Sequence, residues 1–222
     1  MKAFPLLLVM LGGSAVFGST IYQNNTTDLA NSIQYSFFGY TSIGDQVTLG
    51  GTDRLATQAS TQFFNFDSKS TTFDATLSLY SVGSGGSVLG SLLGTFTVNG
   101  VSITGFDSND PTSGLATVSF LNLNTVVPDS VIFVLSVANL SSGTADLGLE
   151  LYDPPTIGSS DNAFYISGIG GTYSSTATDP GFGNPNFALT ASASAATPEP
   201  ATLSVIGGGL ALLALARRRA RS

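Results

Sequence analysis

Between residues 19 and 190, apolar and polar side chains alternate in several short runs. In the runs 73–80 and 145–152 every odd-numbered position is apolar, while most even-numbered positions are polar. This period of two is typical of a β-strand with one buried face. The run 131–138 is apolar almost throughout, which indicates a central strand covered on both faces.

Further segments show strand patterns, and no window of ten or more residues shows a helical period. The further predicted strands are 21–24, 33–38, 46–49, 55–66, 92–98, 115–123, 163–167 and 187–191. Asn99-Gly100 stands between the β-rich runs 95–98 and 101–103, so it predicts a two-residue hairpin turn. Together these features predict one all-β domain at 19–190, a single antiparallel, jelly-roll-like β-sandwich.

The alternation also assigns individual side chains to the core or to solvent. Phe63, Phe64 and Phe66 lie in one predicted strand, and we expect them to belong to the core. Glu150 alternates with leucines, so the pattern directs its side chain into solvent.

The N-terminus has the pattern of a secretory signal peptide. Lys2 precedes the apolar run 4–11, and small residues follow up to Gly18. The apolar run is too short for a membrane-spanning helix. We therefore expect signal peptidase to remove residues 1–18, with Ala15 as a competing cleavage site.

The C-terminus combines a small-residue linker, 191–197, with an apolar run, 201–216, and a basic end. As a helix the sixteen residues of the apolar run span about 24 Å, less than the ~30 Å core of a bilayer. The sequence thus predicts a marginal transmembrane helix. The arginines that follow act as the membrane stop signal, stay cytoplasmic and leave the body on the periplasmic side of the inner membrane; they are Arg217, Arg218, Arg219 and Arg221.

The order of parts in residues 198–222 resembles the PEP-CTERM sorting signal of Gram-negative bacteria. Pro198-Glu199-Pro200 precedes an apolar helix with three consecutive glycines, and arginines end the chain. The resemblance implies processing by an exosortase, a membrane protease that cuts near the tripeptide. It further implies transfer to the cell surface or to an extracellular polysaccharide matrix. In that family the tripeptide is recognised by the sorting enzyme and catalyses nothing itself.

The body resembles an uncharacterised group of PEP-CTERM β-sandwich ectodomains. The segments that carry this second resemblance are 44–54, 128–130 and 151–160. It implies a β-sandwich fold and brings no assigned activity with it.

The amino-acid composition excludes several kinds of catalytic and metal site from the body. The chain has no cysteine and no histidine, which excludes thiol nucleophiles, disulfides, Ser-His-Asp triads and zinc sites built on these residues. Residues 19–197 carry thirteen acidic side chains against two basic ones, Arg54 and Lys69, for a net charge of −11. So acidic a body has no electrostatic footprint for nucleic acid.

Because the available ligands are clustered oxygen atoms, calcium is the metal to consider. The candidate ligands are Asp107, Asn109 and Asp110 in one group, and Asp153 and Asp161 in another. Aspartate and asparagine are also common turn formers, and surface acidity keeps an exported domain soluble. Paired carboxylates for glycoside hydrolysis are the weaker alternative, so we expect a protein that is not an enzyme and has no obligatory cofactor.

Aromatic side chains offer a carbohydrate-binding hypothesis. Tyr165, Tyr173 and Phe182 follow the Pro-Pro loop, where exposed rings could stack on sugars of the exopolysaccharide. Arg54 is expected to pair with a carboxylate of the protein, the alternative being a clamp for a substrate carboxylate.

The sequence as a whole predicts an exported, non-enzymatic cell-surface or extracellular-matrix protein. Its expected partners are signal peptidase, the exosortase and extracellular polysaccharide. The alternative function is a carbohydrate-binding module associated with the exopolysaccharide.

Overall fold

A computed structural model describes most of the predicted ectodomain. The described residues are 18–25, 34–36, 40–86, 88–110, 112–141, 146–168, 173–177 and 183–192. Apart from Gly18 and the first two linker residues, the predicted signal peptide, linker and sorting signal lie outside them. Within these ranges no helix is long and apolar enough to cross a membrane.

The described part of the chain folds into thirteen β-strands and no α-helix. In chain order they are β1 (Ser19–Asn24), β2 (Gln34–Ser36), β3 (Tyr40–Thr48), β4 (Leu55–Asn65), β5 (Thr71–Val82), β6 (Leu89–Ile103), β7 (Leu115–Val126), β8 (Ser130–Ala138), β9 (Leu147–Tyr152), β10 (Ser159–Gly168), β11 (Tyr173–Ala177), β12 (Asn184–Pro185) and β13 (Phe187–Ser192).

The strands form two antiparallel sheets. Sheet 1 has the order β1-β13-β4-β9-β12, with β2 also paired to β9 and β7 to β4. Sheet 2 has the order β11-β10-β3-β8-β5-β6. The first and last strands of the body, β1 and β13, are direct neighbours. The all-β prediction is confirmed.

One apolar core lies between the sheets and is built by side chains from both. Phe133 of β8 stacks on Phe187 of β13, with ring centroids 4.1 Å apart and planes 13° from parallel. Phe63 of β4 packs against Phe73 of β5 at 5.0 Å. In β5 the odd-numbered residues 73–79 are all buried, as the period of two predicts.

Strand β8 confirms the prediction of a central strand covered on both faces. It pairs with β3 on one side and with β5 on the other. Val131, Phe133 and Leu135 point into the main core, whereas Ile132 and Val134 belong to a second buried cluster on the opposite face. Both sets of side chains are at most 2% exposed.

The hairpin predicted at Asn99-Gly100 is wrong. Strand β6 runs through this dipeptide without turning back, and the partner strand β5 pairs through Phe73 with Val101 and through Ala75 with Val98. Two residues of β6 therefore lie opposite the single residue Asp74, which is a β-bulge. Gly100 has φ +65° and donates its N–H to Asp74 Oδ1 at 2.8 Å, so the left-handed glycine serves a bulge instead of a turn.

The solvent position predicted for Glu150 is also wrong, because the residue is only 3% exposed. Every residue of β9 from Leu147 to Leu151 is buried, so both faces of the strand are covered. A strand covered on both faces has no solvent side for the alternation to select. The backbone oxygen of Glu150 accepts bonds from both the backbone and the side-chain amide of Asn186.

Leu135→Asp should unfold the domain, because Leu135 is fully buried in β8 and the substitution places a carboxylate between the sheets. We expect a loss of about 4 kcal/mol or more in the free energy of unfolding. Leu92→Asp is the matched control, since Leu92 is 56% exposed. Chemical denaturation followed by circular dichroism measures both variants. Equal stability of the Leu135 and Leu92 variants would contradict the position of β8 in the core.

Candidate functional site

An open groove of about 530 Å³ lies where the end of β3, the β3–β4 loop and the β7–β8 turn meet. It is lined by Thr48, Leu49, Gly51, Thr52, Arg54 and Asp129. Backbone hydrogen bonds hold these segments together: Leu49 N donates to Asp129 O, and Val127 N donates to Arg54 O, both at 2.8 Å.

The segments 44–54, 128–130 and 151–160 are neighbours at this end of the fold. Thr48 of β3 pairs with Ser130 of β8 on one side and with Ser159 of β10 on the other. The hydroxyl oxygens of Thr48 and Ser130 are 3.0 Å apart. Segments far apart in sequence therefore form one continuous region.

The guanidinium of Arg54 bonds to groups of the protein itself. Its Nη2 and Nε lie 2.7 and 2.9 Å from Asp129 Oδ1, while its Nη1 donates to the carbonyl oxygens of Asp53 at 2.7 Å and Gly50 at 3.3 Å. The Arg54 side chain is 20% exposed and that of Asp129 is 86% exposed. The predicted ion pair is confirmed, and it ties the β3–β4 loop to the β7–β8 turn.

The candidate calcium ligands Asp107, Asn109 and Asp110 lie in an exposed loop between β6 and β7. Asp107 Oδ1 accepts bonds from the backbone and side-chain nitrogens of Asn109, both at 2.9 Å. Asp110 Oδ1 accepts bonds from the backbone and hydroxyl of Thr112, and these bonds lower the pKa of Asp110. Local hydrogen bonds of this kind are typical of turn-forming residues, which is the alternative interpretation of the Asp107–Asp110 group.

The second candidate pair, Asp153 and Asp161, makes two different sets of contacts. Asp153 Oδ1 accepts a 3.4 Å bond from Asn184 Nδ2, and Asp161 accepts a bond from the side chain of Gln46. Among the residues that the structure describes, no group of three or more carboxylates is placed to hold a metal ion. Calcium binding by either predicted group stays a prediction.

Of the three aromatic candidates for sugar contact, Tyr165 is buried. It is 2% exposed, packs with Ile132 and Val134, and its hydroxyl lies 3.3 Å from Gln46 Oε1. A ring enclosed in this way offers no face to a sugar, so the expectation of an exposed Tyr165 is corrected. The backbone of Tyr173 lies in β11, and Phe182 lies outside the described residues, as do the sorting tripeptide and the arginines of the stop signal.

The sequence pattern did not predict a buried polar cluster. Tyr22, Asn24 and Asn184 are at most 2% exposed, and each has a buried oxygen without a hydrogen-bond partner in the structure. Leaving such an atom unsatisfied costs about 1–3 kcal/mol. The sequence signal was the place of Asn24 two residues after Tyr22, since both then project to the same face of β1.

No protein-family model, curated protein or solved structure matches this chain.

Replacing Arg54 should destabilise the fold more than replacing its partner. Arg54→Met removes the ion pair and the bonds to two carbonyl oxygens, and we expect a loss of about 1–2 kcal/mol in the free energy of unfolding. Asp129→Asn removes only the partly screened ion pair and should cost less than about 1 kcal/mol. Lys69→Met, in an exposed turn, is the control. A larger loss for the Asp129 variant than for the Arg54 variant would contradict the structural role given to Arg54.

Proposed function

We propose that this protein is an exported, non-enzymatic component of the cell surface or extracellular matrix, delivered there by an exosortase. The observation that carries the proposal is the three-part order of residues 198–222, a Pro-Glu-Pro tripeptide, an apolar run and terminal arginines. The body it delivers is a jelly-roll-like β-sandwich that acts through its folded surface.

The ends of the described fold are compatible with both proposed cleavages. Strand β1 begins at Ser19, directly after the proposed signal-peptidase site. Strand β13 ends at Ser192, before the proposed exosortase site near Thr197. Removing both terminal segments would therefore leave every described strand intact.

The arrangement of polar groups supports a structural role over a catalytic one. The carboxylates of the β6–β7 loop are engaged in turn hydrogen bonds, and the groove at Arg54 is spanned by an internal ion pair. A hydrolytic site needs two carboxylates held apart with different proton affinities around a substrate cleft.

Carbohydrate binding is the alternative, and the burial of Tyr165 counts against it. Glycan-array binding of the secreted body tests this alternative. Specific retention of one polysaccharide class would replace the structural role by a binding role without affecting the proposed sorting route.

Intact-mass measurement of the exported protein from its native host tests the sorting proposal. We expect a form that begins near Ser19 and ends near Thr197, because cleavage at the tripeptide discards the apolar run and every C-terminal arginine. Its net charge would be −11, against −7 for the precursor. An exported form that still contains residues 210–221 would replace the temporary anchor by a permanent single-span membrane protein.

Glu199→Ala separates insertion from removal of the tail. Membrane insertion should be unchanged, because it depends on the apolar run 201–216. Removal of the tail should fail, because the resemblance assigns recognition to the tripeptide. Thr202→Ala, which leaves the tripeptide intact, is the control. Normal processing of the Glu199 variant would contradict the exosortase proposal.

A further inference from the structure

Three segments distant in sequence meet around the end of β1. Gln23 N donates to Ile157 O at 3.0 Å, and Thr156 N donates to Gln23 O at 2.8 Å, so the β9–β10 loop pairs with β1. Strand β12 joins them from the other side, because Asn184 pairs with Tyr152 of β9. Gly158, with φ +76°, closes the loop at a point where a Cβ would lie 2.9 Å from the ring of Tyr22.

Two amide oxygens at this meeting point have no donor. Asn24 Nδ2 donates to Tyr152 O at 3.1 Å and also faces Asn184 O at 3.4 Å, which leaves Asn24 Oδ1 unpartnered. Asn184 Nδ2 faces Asp153 Oδ1 at 3.4 Å, which leaves Asn184 Oδ1 unpartnered. Both residues are at least 98% buried, so bulk water does not serve these oxygens. Buried polar atoms without a partner are rare in native proteins and call for a missing water or ion.

The hydroxyl of Tyr22, two residues before Asn24 in β1, is a third buried oxygen without a hydrogen-bond partner in the structure. Tyr22 is fully buried and packs against Phe187, with ring centroids 6.2 Å apart. Asp45 is itself buried and accepts a 2.6 Å bond from Ser160 Oγ.

We propose that this cluster is a buried calcium site whose protein ligands are Asn24 Oδ1, Asn184 Oδ1 and the carboxylate of Asp153. Carboxylate and amide oxygens are the ligands that Ca²⁺ takes, in a flexible shell of six to eight that backbone carbonyls and water can complete. Magnesium fits less well because it demands near-ideal octahedral geometry and keeps its own water. The site retains Asp153 from the sequence hypothesis and replaces Asp161 by amides of β1 and β12.

A cation here would link the two ends of the body. Its ligands come from the first strand, from the β9–β10 loop and from β12, which immediately precedes β13. Binding to the folded state alone raises the melting temperature in proportion to the logarithm of ligand concentration. The proposal is independent of the sorting route and of any polysaccharide ligand.

The test compares the melting temperature of the full chain, purified in detergent, in calcium chloride and in chelator. We expect a rise of about 5 °C or more at calcium concentrations well above about 10⁻³ M, the weak end of extracellular calcium modules. Terbium, a luminescent substitute for calcium, should give emission excited through tyrosine, and Tyr22→Phe should reduce this emission. Magnesium chloride at the same concentration should give a smaller rise.

Three variants locate the site. Each variant is compared with itself in calcium and in chelator: Asn184→Leu should lose the calcium-dependent rise, and Asp153→Asn, which keeps an oxygen but removes the charge, should reduce it. The double variant Asp107→Asn, Asp110→Asn should keep the full rise, because those carboxylates lie in the exposed β6–β7 loop. If Asn184→Leu fails to fold, a reduced terbium emission of the Asp153 variant tests the same site.

Two results would overturn the proposal. Equal melting temperatures in calcium and chelator, with no tyrosine-excited terbium emission, would mean that the oxygens are served by buried water. A calcium effect that survives in the Asn184 and Asp153 variants but is lost in the double variant would assign binding to the β6–β7 loop instead.

Discussion

Packing of the two sheets across a shared apolar core is the interaction on which the rest of the structure depends. The chain has no cysteine, so no disulfide fixes the sheets together. The Phe133–Phe187 stack and the Phe63–Phe73 pair each join one sheet to the other. The Phe133–Phe187 contact connects residues far apart in sequence and holds β13 against the core. The buried polar groups and the surface loops take their positions from this core.

The sequence pattern predicts well the features that a single strand determines by itself, such as which of its faces are buried. Alternation identifies the buried face of β5, and an unbroken apolar run identifies β8 as covered on both faces. The sequence pattern fails where the surroundings of a strand determine its pairing or its burial. Asn99-Gly100 can form a hairpin or a bulge, and only pairing with Asp74 of β5 selects the bulge. Glu150 looks half-exposed by alternation, yet every residue of β9 from Leu147 to Leu151 is buried, so neither face of the strand is open to solvent.

The same distinction applies to the candidate sites. Composition directs attention to oxygen ligands, and local spacing finds the Asp107–Asp110 loop, whose oxygens bond within the turn. The proposed calcium ligands Asn24, Asp153 and Asn184 are brought together only by strand register and loop closure. No short motif links residues more than one hundred positions apart. The sequence predicts that Arg54 pairs with a carboxylate of the protein, and the structure identifies that carboxylate as Asp129.

Native-state hydrogen exchange tests most directly the claim that both sheets form one cooperative unit. The backbone amides of Phe133 in β8 and Leu189 in β13 should exchange only through global unfolding, with the same free energy of opening, because their strands share one core. Amides of the exposed β6–β7 loop should exchange much faster. If the amides of β13 opened at a much lower free energy than those of β8, the C-terminal strand would not belong to the core, and the account would be contradicted.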